Sequence, residues 1–367
     1  MTIYIAFTHF LADFLNSFFK PLGPYFIEKY GIDSRTFTSS IALIGAFSSI
    51  VQIFFGLYFD RKKRDGLYVV LLVFLEIIII SLTGFVNGFY LLIMMIFLMR
   101  LTNSAFHPIG ASFAGRHNKG NHVALFSVFG ALGAAVGPVV ITLFMKNYEF
   151  SKVYIIAIIS FMILLIPASK IWKYEKKEVS EKTIPKLKDT MVLLPVFLLV
   201  ATRGFIMNIF HTFVPIFVNL KGSSMVMGGV ILSIGLIAGM FTNYFGAYLR
   251  EKSGIKVINL IGFLGMGVFG LLFYFSENDF LRILSFMSFD IFGFLTMSAN
   301  LVEAQVLMPK NKSFASSIAM GFSWSIGGFI ASGYSAIFGN NVPFVIFSVS
   351  IISIVVAFLF PILKYKK

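Results

Sequence analysis

Five charged side chains lie inside long apolar stretches of the sequence, where ionisable groups are rare. They are Asp13, Glu76, Arg100, Arg203 and Asp290. Three further polar side chains share stretches with these charges, namely His9, Lys20 and His211. A charge at membrane depth is costly unless it faces a partner or water, so such residues usually mark the path of a substrate or a proton. We therefore expect all eight to serve substrate binding or proton coupling.

Polar side chains recur at three- or four-residue steps on two of these stretches. The first series consists of His9, Asp13, Asn16 or Ser17, and Lys20. The second series consists of Arg100, Asn103 or Ser104, and His107. Steps of this size place side chains on one face of a helix. Each face is therefore expected to point into the interior of a helical bundle.

The second half of the chain repeats the first at a distance of about 190 residues, with the signs of the charges exchanged. This shift places Asp13 on Arg203, and Arg100 on Asp290. Asp13 lies roughly 17 Å into its helix, near the middle of a hydrocarbon core about 30 Å thick. We expect the four charges to form one layer at the midplane, where repeat transporters bind substrates and coupling ions.

Two interpretations of this layer stay open at the level of sequence. The aspartates and arginines could form two buried ion pairs that only hold the bundle together. Alternatively, an aspartate that takes up a proton could release its arginine for another ligand. Glu76 is an additional acid, which could carry the coupling proton or form hydrogen bonds within the first half.

The histidines and glycines give no sign of metal or nucleotide chemistry. His107, beside Pro108, is expected to be structural, whereas His9 and His211 could be structural or functional. Histidines and acids scattered over different helices show no metal-ligand spacing, so no metal site is predicted. No glycine-rich phosphate loop precedes a lysine, and no nucleophile is paired with a base. We expect neither a cofactor nor enzymatic activity.

The composition is that of an integral membrane protein. Apolar residues make up 58% of the chain and charged residues 13%, against roughly a quarter in soluble domains. Apolar runs of about twenty residues indicate an all-α polytopic protein rather than a barrel. Most of the 30 basic residues fall in segments that are cytoplasmic if both termini are inside, as in a multi-pass plasma-membrane protein. This placement explains the net charge of +14 without a nucleic-acid partner.

Twelve transmembrane helices are predicted, and a polar segment divides them into two groups of six. The predicted spans are 2–26, 36–59, 67–86, 89–112, 122–145, 151–171, 190–219, 225–249, 256–275, 279–301, 313–337 and 342–363. The polar segment 173–189 is interpreted as a cytoplasmic linker. The chain would then consist of a half at 1–172 and a half at 190–367, related by pseudo-symmetry.

Small residues form stripes on the second helix of each group of three. They include Gly130, Gly133, Gly137 with the adjacent Pro138, and Gly327. Small residues allow helix backbones to approach closely in lipid. We expect these helices to form the contact between the halves, while spans 1, 4, 7 and 10 line a cavity.

A charged turn follows the second span. It contains Gly56, Asp60, Arg61 and Arg64, and it has an echo at Gly246 and Arg250. One interpretation is a cytoplasmic gate in which the arginines hold partners in one of two states. The other is a charge cluster that only sets the topology.

The same turn resembles the loop between helices 2 and 3 of the major facilitator superfamily, G-x-x-x-D-R-x-G-R-[KR], with Lys63 and Asp65 as departures. Further stretches resemble the fosmidomycin-resistance branch of that superfamily. They are 9–13 with 21–24, 105–108, 130–138, Arg203 followed by 212–215, and 305–309. The resemblance implies the major facilitator fold and secondary transport, and members of the branch include a proton-driven exporter of a phosphonate antibiotic. Arg100 matches a buried arginine of helix 4 in drug:proton antiporters.

These observations predict a secondary transporter that works by alternating access. The leading hypothesis is proton-coupled export of a small organic compound, in which Asp13 or Asp290 takes up the proton. Arg100, Arg203 and Lys20 favour phosphonate-like or carboxylate-like substrates. The alternatives are an uptake symporter for an organic anion and a non-transporting membrane sensor. The expected partners are the substrate, protons and the lipid bilayer, and the chain is expected to be a monomer.

Overall fold

The structure, a computed structural model, describes residues 2–115, 120–175 and 190–360, and the regular secondary structure of these residues is helical throughout. The prediction of an all-α polytopic fold is thereby confirmed. The longer helices are α1 Thr2–Asn16, α2 Gly23–Tyr30, α3 Ser34–Asp60, α4 Asp65–Thr83, α5 Phe89–Gly115, α6 Gly120–Asn147, α7 Tyr154–Ile171, α8 Leu194–Leu220, α9 Met225–Ser253, α10 Ile255–Phe275, α11 Asp279–Leu307, α12 Lys312–Ser317, α13 Ser323–Phe338 and α14 Val342–Leu359.

The predicted first span is not one continuous helix. α1 ends at Asn16, residues 17–22 form turns, and α2 begins at Gly23. Pro21 has no backbone N–H to continue the helix, and Pro24 suits the first turn of the next one. The spacing of Lys20 predicted that it would share a helix face with His9 and Asp13. In the structure Lys20 lies in the turn instead and does not continue that face.

Eleven helical segments of the described chain are long and apolar enough to cross a membrane. They correspond to the second through twelfth predicted spans. Two of them extend several residues beyond the predicted ends, to Ser253 and Leu307. The segment Phe314–Phe338 is interrupted by a π-helical stretch at Ile318–Phe322, which hydrophobicity alone could not reveal.

The first compact unit comprises Met1–Leu22 and Phe47–Lys182. Its α1 packs along α6, where Gly133 lies against the backbone of Phe10 and Gly137 against Ser17. A methyl group at Gly133 would lie 2.2 Å from the Phe10 carbonyl oxygen. These glycines therefore set the close approach of two helices inside the unit.

The second compact unit comprises Gly23–Ala46 and Thr183–Lys367. In it α8 packs on α13, with Gly327 against the carbonyl of Ala201, and α9 packs on α11, with Gly246 against the carbonyl of Leu295. Residues 23–46, which the sequence assigned to the first half, pack here. The predicted linker lies largely at 176–189, outside the described residues.

Gly130, Gly133, Gly137 and Gly327 thus contact partners within their own predicted half, and not the other half as the sequence predicted. Gly328 of α13, in contrast, lies against Ala46 of α3, which is a contact between the predicted halves 1–172 and 190–367. Gly130, Gly133 and Gly137 face α1, and Gly327 faces α8. The physical reason is that a stripe of small residues shows that some backbone approaches closely, but not which one. Pro138, beside this stripe, lies inside α6, and its carbonyl accepts a hydrogen bond from Thr142.

A polar cluster in the second unit caps the start of α3. Oδ1 of Asp33 accepts a hydrogen bond from the backbone N–H of Thr36 at 2.7 Å, and Oδ2 accepts one from Nδ2 of Asn340 at 2.9 Å. Ser34 donates to the carbonyl of Gly339 at 2.7 Å. Hydrogen bonds from Thr36 and then from Asn340 hold the pKa of the Asp33 carboxyl well below its usual range.

Candidate functional site

Two histidines converge on Asp13 in the first unit. His9 stands one turn before Asp13 on α1, and its Nε2 lies 3.1 Å from Oδ2 of Asp13. His107 of α5 places its Nε2 3.3 Å from Oδ1 of the same carboxylate. The two imidazole rings meet edge to face, with centroids 5.0 Å apart. One carboxylate is therefore bracketed by two imidazole nitrogens.

The surroundings of His9 fix its orientation and its tautomer. Nδ1 lies 2.7 Å from the carbonyl oxygen of Phe126, which can only accept, so Nδ1 carries a hydrogen. The ring stacks on Phe126 at 3.9 Å and is buried. Gly130 leaves room for it, since a methyl group there would lie 2.3 Å from Cε1 of His9. In neutral His9, Nε2 then presents a lone pair toward the Asp13 carboxylate.

Polar and charged neighbours surround this cluster on α4 and α5. Asn103 donates from Nδ2 to Oδ1 of Asp13 at 3.2 Å, while its Oδ1 lies 3.1 Å from Nε2 of His107. Arg100 interacts electrostatically with Asp13 and Glu76, but it forms no ion pair within 4 Å in the described part of the chain. Glu76 is fully buried on α4 and faces Arg100 and Asn103.

A second aspartate–histidine pair lies inside the second unit. Nε2 of His211 on α8 donates to Oδ1 of Asp290 on α11 at 2.7 Å, and Asp290 is fully buried. Phe286 lines the site, and Gly235 of α9 leaves space for the carboxylate, since a methyl group there would lie 2.5 Å from Oδ2 of Asp290. Both units therefore hold a carboxylate against an imidazole, on equivalent helices with the roles exchanged.

Arg203 is also buried in the second unit, but no carboxylate among the described residues neutralises it there. Its guanidinium carbon lies 4.9 Å from the ring centre of Trp324 on α13, and its Nη1 donates to the sulfur of Met207 at 3.6 Å. Within the same described ranges it has no ion-pair partner within 4 Å, and its Nε has no hydrogen-bond partner. A buried cation stabilised mainly by an aromatic face can attract an anionic ligand.

The structure brings Asp13, Glu76 and Arg100 together in the first unit, whereas in the second it pairs Asp290 with His211 and holds Arg203 against Trp324. The sequence offered aspartate–arginine pairs as one interpretation, whereas the described aspartates lie against histidines. Periodicity placed these side chains on inward faces but could not choose partners, because the choice depends on side-chain length and on depth within the bundle. The i, i+4 spacing of His9 and Asp13 was the available signal for the first cluster.

That cluster also changes the prediction that no metal site exists. The potential ligand atoms of His9, Asp13 and His107 lie within 4.8 Å of one another. The sequence argument considered ligand spacing along the chain, whereas the fold brings His107 of α5 against His9 and Asp13 of α1.

Among the described side chains, one ion pair of a predicted gate residue is seen in each unit. In the first unit, Nε of Arg64 donates to Oε1 of Glu175 at 3.1 Å, and both side chains are exposed. In the second, Arg250 donates from Nε at 3.0 Å and from Nη2 to the same Oε2 of Glu303, with both side chains largely buried. Glu303 was missed because its span was predicted to end at residue 301.

The other gate residues give less support to a gate. Arg61 is exposed, and a methyl group added at Gly56 would have only Pro108 within 4 Å among the described residues. The side chain of Asp60 lies outside the described part of the structure. Trp324 and Phe126 were also missed, because an aromatic residue in an apolar span gives no signal that distinguishes it from core.

Comparisons with known proteins agree with this architecture. A family model described as Major Facilitator Superfamily matches residues 5–332. The Fosmidomycin resistance protein of Escherichia coli (strain K12) is 21% identical over 342 residues, which cover 88% of this chain and 82% of that protein.

Solved transporter structures share the fold. A crystal structure of the nucleoside transporter NupG aligns with a TM-score of 0.78 at 18% identity, covering 98% of this chain and 99% of that one. A POT family transporter in complex with a thioalcohol-conjugated peptide aligns with a TM-score of 0.79 at 14% identity, covering 98% and 94%. At these identities the likeness concerns the fold alone.

Proposed function

The chain belongs to the major facilitator superfamily, and we propose that it exports a small organic anion in exchange for protons. The observation that carries this proposal is the buried pair of His211 and Asp290, joined at 2.7 Å. A carboxylate at this depth is costly unless it is compensated, and such groups serve as proton carriers in transporters. Membership of this family supports alternating access as the mode of transport.

Asp290 is the acid that we assign to the proton. His211 faces it at hydrogen-bond distance, while Phe286 and Gly235 contribute apolar surroundings. The proton binds to the Asp290 carboxylate when the site is open to the outside and leaves when it is open to the cytoplasm. Neutralising the carboxylate removes the attraction that holds His211 in place, and this coupling links the proton to the conformational change.

Arg203 is the residue that we assign to the substrate. Its guanidinium is buried, it is held over Trp324, and it has no carboxylate within 4 Å in the described chain. Guanidinium groups bind phosphonate and carboxylate groups through paired hydrogen bonds. A small anion of this chemistry would therefore satisfy the unpartnered Nε and its neighbours. Export rather than uptake is supported by the name of the Escherichia coli relative, which is a resistance protein.

Tryptophan fluorescence offers a direct test of anion binding, because the chain contains only two tryptophans. Trp172 is half exposed, whereas Trp324 lies beside Arg203. In Trp172→Phe, a phosphonate or carboxylate substrate should produce a saturable change in Trp324 emission. Arg203→Gln in the same background should abolish that change, and neutral compounds of equal size should produce none. Equal responses to neutral compounds would contradict the assignment.

Direction and orientation can be tested in cells. Expression should raise tolerance of a toxic substrate anion if the protein exports it, whereas growth on a nutrient anion would indicate uptake. We also propose that the protein resides in the cell membrane with both termini in the cytoplasm. Because the chain lacks cysteine, Lys366→Cys and Lys221→Cys each introduce a single thiol. An impermeant thiol reagent applied to intact cells should label Lys221→Cys and not Lys366→Cys.

A further inference from the structure

We propose that His9, Asp13 and His107 form a binding site for a divalent transition-metal ion such as Zn²⁺. This inference goes beyond the proposed function and does not depend on it, because metal binding is measured on the resting protein without transport. It rests on the positions of the three ligand atoms, the tautomer of His9 and the exposure of the cluster.

The distances within the cluster suit such an ion. Zn²⁺ binds imidazole nitrogens and carboxylate oxygens at roughly 2.0–2.2 Å, so neighbouring ligands of a tetrahedral site lie about 3.3 Å apart. The observed separations are 3.1 Å from His9 to Asp13 and 3.3 Å from His107 to Asp13. Small rotations of the side chains would place all three atoms around one ion. Two imidazoles and one carboxylate leave a further coordination position for water or another ligand.

The environment of His9 matches that of a metal ligand. Metal-bound histidines usually donate their second ring N–H to a carbonyl or carboxylate, which fixes the tautomer. His9 does so from Nδ1 to the carbonyl of Phe126, and its buried Nε2 has no hydrogen-bond partner among the described residues despite its proximity to Asp13. Two lone pairs that face each other at 3.1 Å require a cation between them. A metal ion bound between Nε2 of His9 and Oδ2 of Asp13 meets this requirement.

Access, charge and chemistry favour a transition metal. The side chains of Asp13 and His107 are 18% and 30% exposed, so an ion can reach the cluster. Arg100 and the buried Glu76 both interact electrostatically with Asp13, and with neutral imidazoles Asp13 gives the ligand set itself a net negative charge. Imidazole ligands select Zn²⁺, Co²⁺ or Ni²⁺ over Mg²⁺ and Ca²⁺, which prefer oxygen ligands.

Titration with Co²⁺ tests the site through a spectroscopic signature. The purified full-length chain in detergent, after treatment with a chelator, should bind one Co²⁺ with the visible absorption of a tetrahedral or five-coordinate ion, and Zn²⁺ should displace it. His9→Gln and His107→Gln should each weaken binding by more than about 100-fold, beyond the 10- to 100-fold loss typical of outer-shell changes. His211→Gln is the matched control, since it breaks the other aspartate–histidine pair without removing a ligand, and its Co²⁺ affinity should be unchanged.

Affinity should also rise with pH, because each histidine must lose a proton to bind the ion. Absence of saturable binding to the wild type would overturn the proposal. So would undiminished binding to both ligand variants, which would indicate adventitious sites elsewhere. If the variants fail to fold, X-ray absorption of the Zn²⁺-loaded wild type decides, since the proposal requires two imidazole ligands at about 2.0 Å and fewer would refute it.

Discussion

The substitution Gly130→Ala tests whether Gly130 of α6 is needed to leave space for the ring of His9. The added methyl group would lie 2.3 Å from Cε1 of His9, 2.4 Å from Nε2 and 2.6 Å from Nδ1, whereas ordinary contact begins at 3.4 Å. The ring must therefore move by about 1.1 Å, the difference between 3.4 Å and 2.3 Å. Such a shift is enough to break the 2.7 Å hydrogen bond from Nδ1 to the carbonyl of Phe126.

The expected cost combines two effects. Overpacking of a well-packed interior costs about 1–3 kcal/mol, and loss of the hydrogen bond costs about 1 kcal/mol. Gly130→Ala should therefore lower the free energy of unfolding by roughly 2–4 kcal/mol. Gly333→Ala is the control: Gly333 is exposed on α13, and an added methyl group there would meet no atom of the described neighbouring elements within 4 Å, so alanine should be neutral or stabilise by up to about 1 kcal/mol.

The assay is thermal unfolding of the two variants and the wild type in the same detergent at one scan rate, since unfolding of such proteins is often irreversible. Gly130→Ala should unfold well below the wild type and Gly333→Ala at or above it. If Gly130→Ala has the same unfolding temperature as Gly333→Ala, Gly130 is not needed to make room for the His9 ring, and the argument from the close contact is refuted.

Two further predictions concern polar contacts within the units. Arg250→Gln leaves the largely buried Glu303 without its partner and should destabilise by about 2–4 kcal/mol, whereas Arg64→Gln breaks an exposed pair and should cost less than about 1 kcal/mol; equal losses of thermal stability would contradict this ranking. Asp33→Ala removes the cap of α3 and should cost about 1 kcal/mol near neutral pH. The pKa of Asp33 in the folded protein lies below its unfolded value near 3.8. The stabilisation by the Asp33 carboxylate is therefore present above pH 3.8 and is lost as the pH falls through the folded pKa. The stability difference between Asp33→Ala and the wild type should shrink in acid, and a difference that grows in acid would refute this prediction.

The helical architecture could be predicted from the sequence. A backbone that crosses lipid in one apolar run of about twenty residues must satisfy its own hydrogen bonds, and a helix does this. It also placed His9 with Asp13 on one face of α1, and Asn103 with His107 on one face of α5, as their contacts show, although Lys20 does not continue the first face. The partners were harder to predict. A helix face is fixed by periodicity, whereas the choice of histidine over arginine depends on how far each side chain reaches across a helix–helix contact.

Some departures from regular transmembrane helices have a signal in the amino-acid sequence, and others have none. Pro21 and Pro24 signal the break between α1 and α2, which an apolar average over the span conceals. The packing of residues 23–46 with the second unit has no counterpart in local sequence, since it depends on contacts far apart along the chain. The π-helical stretch at Ile318–Phe322 likewise has no signal in the hydrophobicity of the span.

Proton movement in proteoliposomes tests the central claim most directly. The purified wild type, Asp290→Asn and Arg203→Gln would be reconstituted with a pH-sensitive dye, an imposed pH gradient and a panel of phosphonates and carboxylates. At least one anion should dissipate the gradient through the wild type, and both substitutions should abolish this. Asp290→Asn should still exchange labelled for unlabelled anion, because it loses the proton site and keeps Arg203. If Asp290→Asn moves protons with the anion as fast as the wild type, Asp290 does not carry the proton and the proposed coupling is wrong.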